Sequence, residues 1–115
     1  MEQKEMYPRA SARRNAEKAD LAPKNIQAWR TFSKTVFEVG ALDEKTKQLI
    51  ALAVAHVTQC PYCIRAHAKG ASVKGASKAE IMEAIWVAAE MRAGAAYAHA
   101  DIAMDEIDQM GARKP

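Results

Sequence analysis

Hydrophobic positions along this chain recur at intervals of three and four, and no stretch keeps the period of two expected of a half-buried strand. Ile26, Trp29, Phe32, Ser33, Val36 and Phe37 mark one apolar face of a helix that Pro23 opens in its first turn. Gly40 is expected to close that helix in the left-handed conformation. Asp43 can cap the next helix, with Glu44 in its first turn. Leu49, Ile50, Leu52, Ala53, Val54 and Val57 make this second helix apolar on nearly every side, so it is expected in the middle of the structure. Pro61 opens a further helical segment directly after Cys60, and Gly75 ends it. Ser77-Lys78-Ala79-Glu80 has the form of a capping box, in which side chains satisfy free backbone donors reciprocally. The helix it starts carries Ile81, Ile85, Trp86, Ala88 and Ala89, and Gly94 is expected to kink or break it. A last helix contains Tyr97, His99, Ile102 and Met104. Residues 1–20 are polar and form a short helix or a loose arm, and 21–115 form the helical domain. The fold class is all-α, a single-domain bundle of about five to six helices.

At 115 residues the chain fits one core, and half of its residues are hydrophobic. Only 6% are aromatic, and alanine supplies much of the apolar share. Small side chains fill little volume, so the helices must approach closely or bury faces against a second chain. A homo-oligomer is expected. Charge narrows the partners: 17 basic residues face 14 acidic ones, for a net charge of +3. The densest basic run is Arg9, Arg13, Arg14 and Lys18, interleaved with Glu17 and Asp20. Without aromatic or base-reading partners it reads as a solvated face, and no nucleic acid is expected. The opening MEQKEMYPRA lacks the apolar stretch of a secretory signal. The most apolar segment, Ile81 to Met104, is broken by Glu83, Glu90, Arg92 and Asp101, which argues against a membrane span. A cytoplasmic protein is expected. In that reducing compartment, C-x-x-C is more often redox-active or metal-binding than a structural staple.

The chemistry lies in Cys60-Pro61-Tyr62-Cys63-Ile64-Arg65-Ala66-His67. With Cys60 capping a helix that begins at Pro61, backbone N–H groups and the positive end of the helix dipole favour its thiolate. Cys63 lies in the first turn, near enough to close a disulfide with Cys60. His67, four residues beyond Cys63, shares its face and can take or relay the thiol proton. Two other readings stay open. The cysteines can be ordinary buried small residues, or His56, Cys60, Cys63 and His67 can form H-x3-C-x2-C-x3-H as zinc ligands. Structural zinc usually draws ligand pairs from separated segments, which disfavours a single continuous arc. His56 alone fits a core or supporting histidine. His99, on an alanine-rich face, is expected to be packed or to approach the thiols from the last helix. The tetrapeptide CPYC is shared with glutaredoxins, but their fold needs βαβ strands that this chain lacks.

From Ala41 to His99 the chain resembles the carboxymuconolactone decarboxylase superfamily, and within it the alkylhydroperoxidase D type. The resemblance is carried by LDEKTKQLIALAVAHVTQCPYCIRAHAKGA and GASKAEIMEAIWVAAEMRAGAAYAH. It implies an all-helical fold assembled as trimers or hexamers, a hydroperoxide substrate, and a disulfide cycle recharged by an external thiol or dithiol reductant, with no cofactor. It also implies that Cys63 attacks peroxide, Cys60 resolves it and His67 relays the proton, whereas the dipole argument alone favours Cys60 as the more reactive thiol. The family usually has a glutamate twelve residues before the first cysteine, where this chain has Gln48. An amide holds a hydrogen bond but accepts no proton at neutral pH, so turnover is expected to be slow unless a carboxylate such as Glu44 substitutes. Gln48, His56, Tyr62 and His99 are therefore the candidate supporting residues. The namesake lactone decarboxylases lack the paired cysteines, which makes a thiol peroxidase the expected activity. The alternatives are a weakly active or non-catalytic binding oligomer, and a zinc-binding module.

Overall fold

Pro23 and Pro61 each stand at the first position of a helix, where a missing backbone N–H removes no intrahelical bond. The computed structural model describes residues 6–113. Six helices run in order: α1 (Ala12–Leu21), α2 (Pro23–Phe37), α3 (Glu44–Thr58), α4 (Pro61–Val73), α5 (Lys78–Ala98) and α6 (Ala100–Arg113). The polar N-terminal stretch thus holds a short helix, although residues 1–5 lie outside the described part. Ser11 caps α1, accepting from Arg14 N at 3.1 Å.

The predicted caps of α3 and α5 are in place. Asp43 accepts from Thr46 N at 2.7 Å, and hydrogen bonding from the Thr46 side chain together with this backbone bond holds its carboxyl below the usual carboxylate value. Ser77 and Glu80 exchange both bonds of the capping box. Lys45 reaches Glu80 at 2.7 Å and ties the start of α3 to the start of α5. Gly75, at φ +95°, provides the left-handed turn after α4.

Two expectations about glycine need correction. Gly40 is not left-handed; α2 ends at Phe37, and Glu38 turns into extended backbone. The closing partner is Lys47, whose Nζ donates to Val36 O at 2.9 Å and Glu38 O at 2.5 Å. A cation on these carbonyls does what the left-handed turn was expected to do. Gly94 does not break α5, which continues to Ala98. One glycine costs a helix interior only about 1 kcal/mol, and the alanines beside it favour the helix.

α3 runs through the middle, packed on α4 along one side and on α5 along another. Leu52 and Ala55 of α3, Ala71 of α4 and Ala88 of α5 are the buried residues, so the centre is a meeting of small side chains around one leucine. α1 packs on α2, α2 reaches α3, and α6 packs on α5 alone. The result is open and elongated. Its radius of gyration is 20.4 Å, against about 13 Å for a compact chain of this length. No helix among the described residues is long and apolar enough to cross a membrane.

Candidate active site

The turn from α3 into α4 sets up the cysteines. Gln59 adopts the left-handed conformation, φ 57°, and Cys60 N returns to Ala55 O at 3.1 Å, closing the end of α3. The chain is then aimed so that Cys60 caps α4, its Sγ accepting from Cys63 N at 3.2 Å. Cys60 and Cys63 are paired as a disulfide, with Cα atoms 5.3 Å apart. Both are half-buried.

One and a half turns along α4, His67 meets Gln48 of α3: Nδ1 donates to Oε1 at 2.9 Å. That bond places the proton on Nδ1 and leaves Nε2 with the lone pair, the form a base requires. Phe37, at the end of α2, stacks on the imidazole with centroids 5.2 Å apart and planes 22° apart. Burial holds His67 below the ordinary imidazole value near 6.5, so it is neutral at pH 7. Three helices therefore fix one side chain.

Gly70 makes the Gln48–His67 bond possible. A Cβ at position 70 would lie 2.4 Å from Gln48 Oε1 and 2.8 Å from its Cδ. Only a residue without a side chain lets the amide cross α4 to the histidine. Nothing in the sequence distinguished Gly70 from any other helical glycine, because the neighbour it accommodates comes from α3.

Cys63 and His67 line one cavity of about 390 Å³, walled by Val36, Phe37, Ile50 and Val54 among others. The wall is almost wholly apolar, and it opens to one side, where Ile50 and Val54 stay half-exposed. Cys60 is not part of that wall. The apolar face of α2 seen in the sequence thus serves partly as a site wall.

The other candidates fall elsewhere. His56 donates through Nδ1 to Leu52 O, 2.9 Å away, and lies in a separate concavity with Gln59, Ile85 and Arg92. The four donors weighed for zinc are not brought together, and no three His, Cys, Asp or Glu side chains among the described residues gather closely enough for a metal ion. His99 stands exposed at the junction of α5 and α6, and α6 does not reach α4, so within one protomer it does not approach the thiols. Glu44, the substitute carboxylate, is paired with Lys74. Tyr62 points outward, its hydroxyl donating to Pro8 O at 2.7 Å.

Comparison with known proteins places this arrangement. The sequence profile described as the carboxymuconolactone decarboxylase family matches residues 23–106, spanning α2 to the first half of α6. The chain belongs to the carboxymuconolactone decarboxylase family. It is 65% identical over 83 residues to uncharacterized protein 4 in the cox locus of Paracoccus denitrificans, covering 72% of this chain and 75% of that one. Among solved structures, a family member from Legionella pneumophila superposes with a TM-score of 0.65 at 32% identity, covering 68% of this chain and 70% of its own. A Thermotoga maritima member, with a suggested part in an antioxidative response, gives a TM-score of 0.57 at 30% identity, covering 78% and 96%.

The pH dependence follows from the buried histidine. The part of thiol alkylation that depends on neutral His67 should rise with a midpoint below 6.5, because burial opposes the imidazolium. Gln48→Glu puts a carboxylate on Nδ1–H, favours the imidazolium and should move that midpoint upward. Rates of iodoacetamide reaction with the reduced protein from pH 5 to 8 check both; an unmoved midpoint in the variant removes Gln48 from the relay.

Proposed function

We propose that this protein is a thiol peroxidase of the alkylhydroperoxidase type, reducing hydroperoxides through a Cys60–Cys63 disulfide cycle. The observation that carries the reading is the joint placement of Cys63 and His67 on one apolar cavity, with the histidine's tautomer held by Gln48. That placement favours Cys63 as the attacking thiol, since Cys60 lies off the wall, and it outweighs the dipole argument for Cys60.

In the reduced protein His67 Nε2 takes the Cys63 proton, and the thiolate attacks the outer oxygen of the hydroperoxide. The O–O bond breaks, the S–O bond forms, and the alcohol leaves with the proton from His67. Cys60 then attacks the Cys63 sulfenic sulfur, expelling water and closing the disulfide. An external dithiol returns two electrons and two protons, reopening the pair. The antioxidative role suggested for the Thermotoga maritima relative agrees with this cycle.

Gln48 favours a second reading, a binding or structural oligomer that keeps the fold with little turnover, because an amide supplies no proton acceptor behind His67. One assay separates the two: consumption of cumene hydroperoxide with dithiothreitol in excess. Catalytic consumption abolished by Cys63→Ser is the expected result. Stoichiometric consumption without turnover establishes the second reading.

A further inference from the structure

Within this chain α2 is lightly held. None of its residues is buried, and Trp29 and Phe32 on its apolar face are each 60% exposed. Its last residue, Phe37, nevertheless stacks on His67 and walls the cavity that Cys63 also lines. A ring held over an imidazole from so open a helix needs an anchor, and α3 supplies it. Lys47 Nζ donates to Val36 O at 2.9 Å and to Glu38 O at 2.5 Å, the carbonyls immediately before and after Phe37. Bonds from an ammonium are stronger than neutral ones, and the last carbonyls of a helix carry the negative end of its dipole. The next residue of α3, Gln48, meets Nδ1 of the same imidazole at 2.9 Å. Two consecutive residues therefore act on His67 from different sides: Gln48 at its edge, Lys47 through the aromatic ring on its face.

We propose that Lys47 is a positioning residue for His67: by gripping the end of α2 it holds Phe37 over the imidazole and keeps the histidine a free base toward Cys63. The inference rests on the thiol–histidine site proposed above, but not on which oxidant that site serves. A stacked ring removes water from one face of the imidazole, and an imidazole short of water resists protonation. That is the direction in which burial moves His67. With the end of α2 released, water reaches the open face and the imidazolium forms more readily. His67 then keeps its proton to higher pH and acts as a base over a narrower range. Of the residues lining the cavity with His67, Lys47 from α3 and Cys63 from α4 are the groups that can carry charge; Phe37 from α2 is neutral. The Lys47 charge itself also opposes the imidazolium, so the experiment has to separate its grip on α2 from its field across the cavity.

The test follows iodoacetamide reaction of the full-length reduced protein from pH 5 to 8, beside the magnetic resonance signals of the His67 ring protons, which a stacked aromatic ring shields. Lys47→Met and Phe37→Leu should each move the alkylation midpoint upward, toward the ordinary imidazole value, and each should move the ring protons downfield. Lys47→Arg, whose guanidinium can bridge the same two carbonyls, should keep both the midpoint and the shielding of the unaltered protein. Should Lys47→Met lose its helical signal, Lys47→Gln, with one amide donor for the carbonyls, replaces it and should show the same shifts in smaller measure. Added to Phe37→Leu, the Lys47 substitution should move the midpoint no further. An unmoved midpoint with the ring protons still shielded overturns the proposal and leaves the thiol–histidine site standing. A midpoint shift that persists in full in the Phe37→Leu background also overturns it, because Lys47 then acts by its charge and not through α2. If His67→Ala leaves the alkylation profile unchanged, the thiol–histidine site itself fails and this proposal with it.

Discussion

His67→Ala is expected to slow alkylation of reduced Cys63 and peroxide turnover by about 10²–10⁴-fold near neutral pH, the usual contribution of a placed base. The disulfide should still form on prolonged oxidation, since Cys60 and Cys63 are brought together by the first turn of α4 and not by the histidine. Gly70→Ala should act in the same direction without touching His67. Its methyl group would occupy the space of the Gln48 amide, which must swing away and release Nδ1. Phe37 still holds the ring by stacking, so the loss should be smaller, about tenfold. The decisive comparison is a double-mutant cycle. If Gly70 works through Gln48, then Gly70→Ala added to Gln48→Ala should change the rate–pH profile no further. A full, additive effect in that background would make Gly70 merely a packing residue. Urea unfolding of each variant shows that the fold survives.

A stable monomer is not expected. The isolated chain exposes 9709 Å², roughly 3,500 Å² more than a compact monomer of this mass. Trp86 is 65% exposed, Tyr97 84% and Ile102 68%, along α5 and α6, where little else covers them. An excess of that size calls for obligate interfaces, which commonly bury about 2,000 Å² or more and are apolar. Light scattering should give three or six times the 12.6 kDa protomer, and apparent stability should rise with protein concentration. Trp86→Asp places a charge on the apolar face and should dissociate the assembly, with loss of most helical signal below micromolar concentration. A folded, monodisperse monomer of the unaltered chain would defeat the argument.

The local structure of this protein is written in short-range chemistry. Pro23, Asp43, Pro61 and the Ser77–Glu80 box each act on backbone groups within a turn of themselves, so helix starts were legible without any tertiary knowledge. The same holds for the cysteine pair, whose spacing and cap position follow from the first turn of one helix. Helix ends were less legible. Gly40 carried the signal for a left-handed close, but Lys47, from the next helix, supplied the cation that ended α2 instead. Gly94 carried the signal for a break, but that weak local penalty did not interrupt α5.

The site beyond its cysteines belongs to the tertiary structure. Gln48 entered the sequence reading as a missing carboxylate, and only the packing of α3 on α4 shows its amide fixing the His67 tautomer across the gap at Gly70. Phe37 looked like one more residue of an apolar face until α2 placed it under the imidazole. Within one chain, His56 and His99, equal to His67 in chemistry, are carried elsewhere by α3 and α5. The basic run of α1 is solvated, as its sequence suggests, and what only the tertiary structure shows is Tyr62 fastening the arm before it. The division has one physical cause. Caps, turns and the C-x-x-C pair depend on neighbours along the chain, whose identities the sequence states directly. Tautomers, cavity walls and charged surfaces depend on neighbours across space, and for a core of alanines around one leucine the sequence pattern leaves those pairings open until the helices pack.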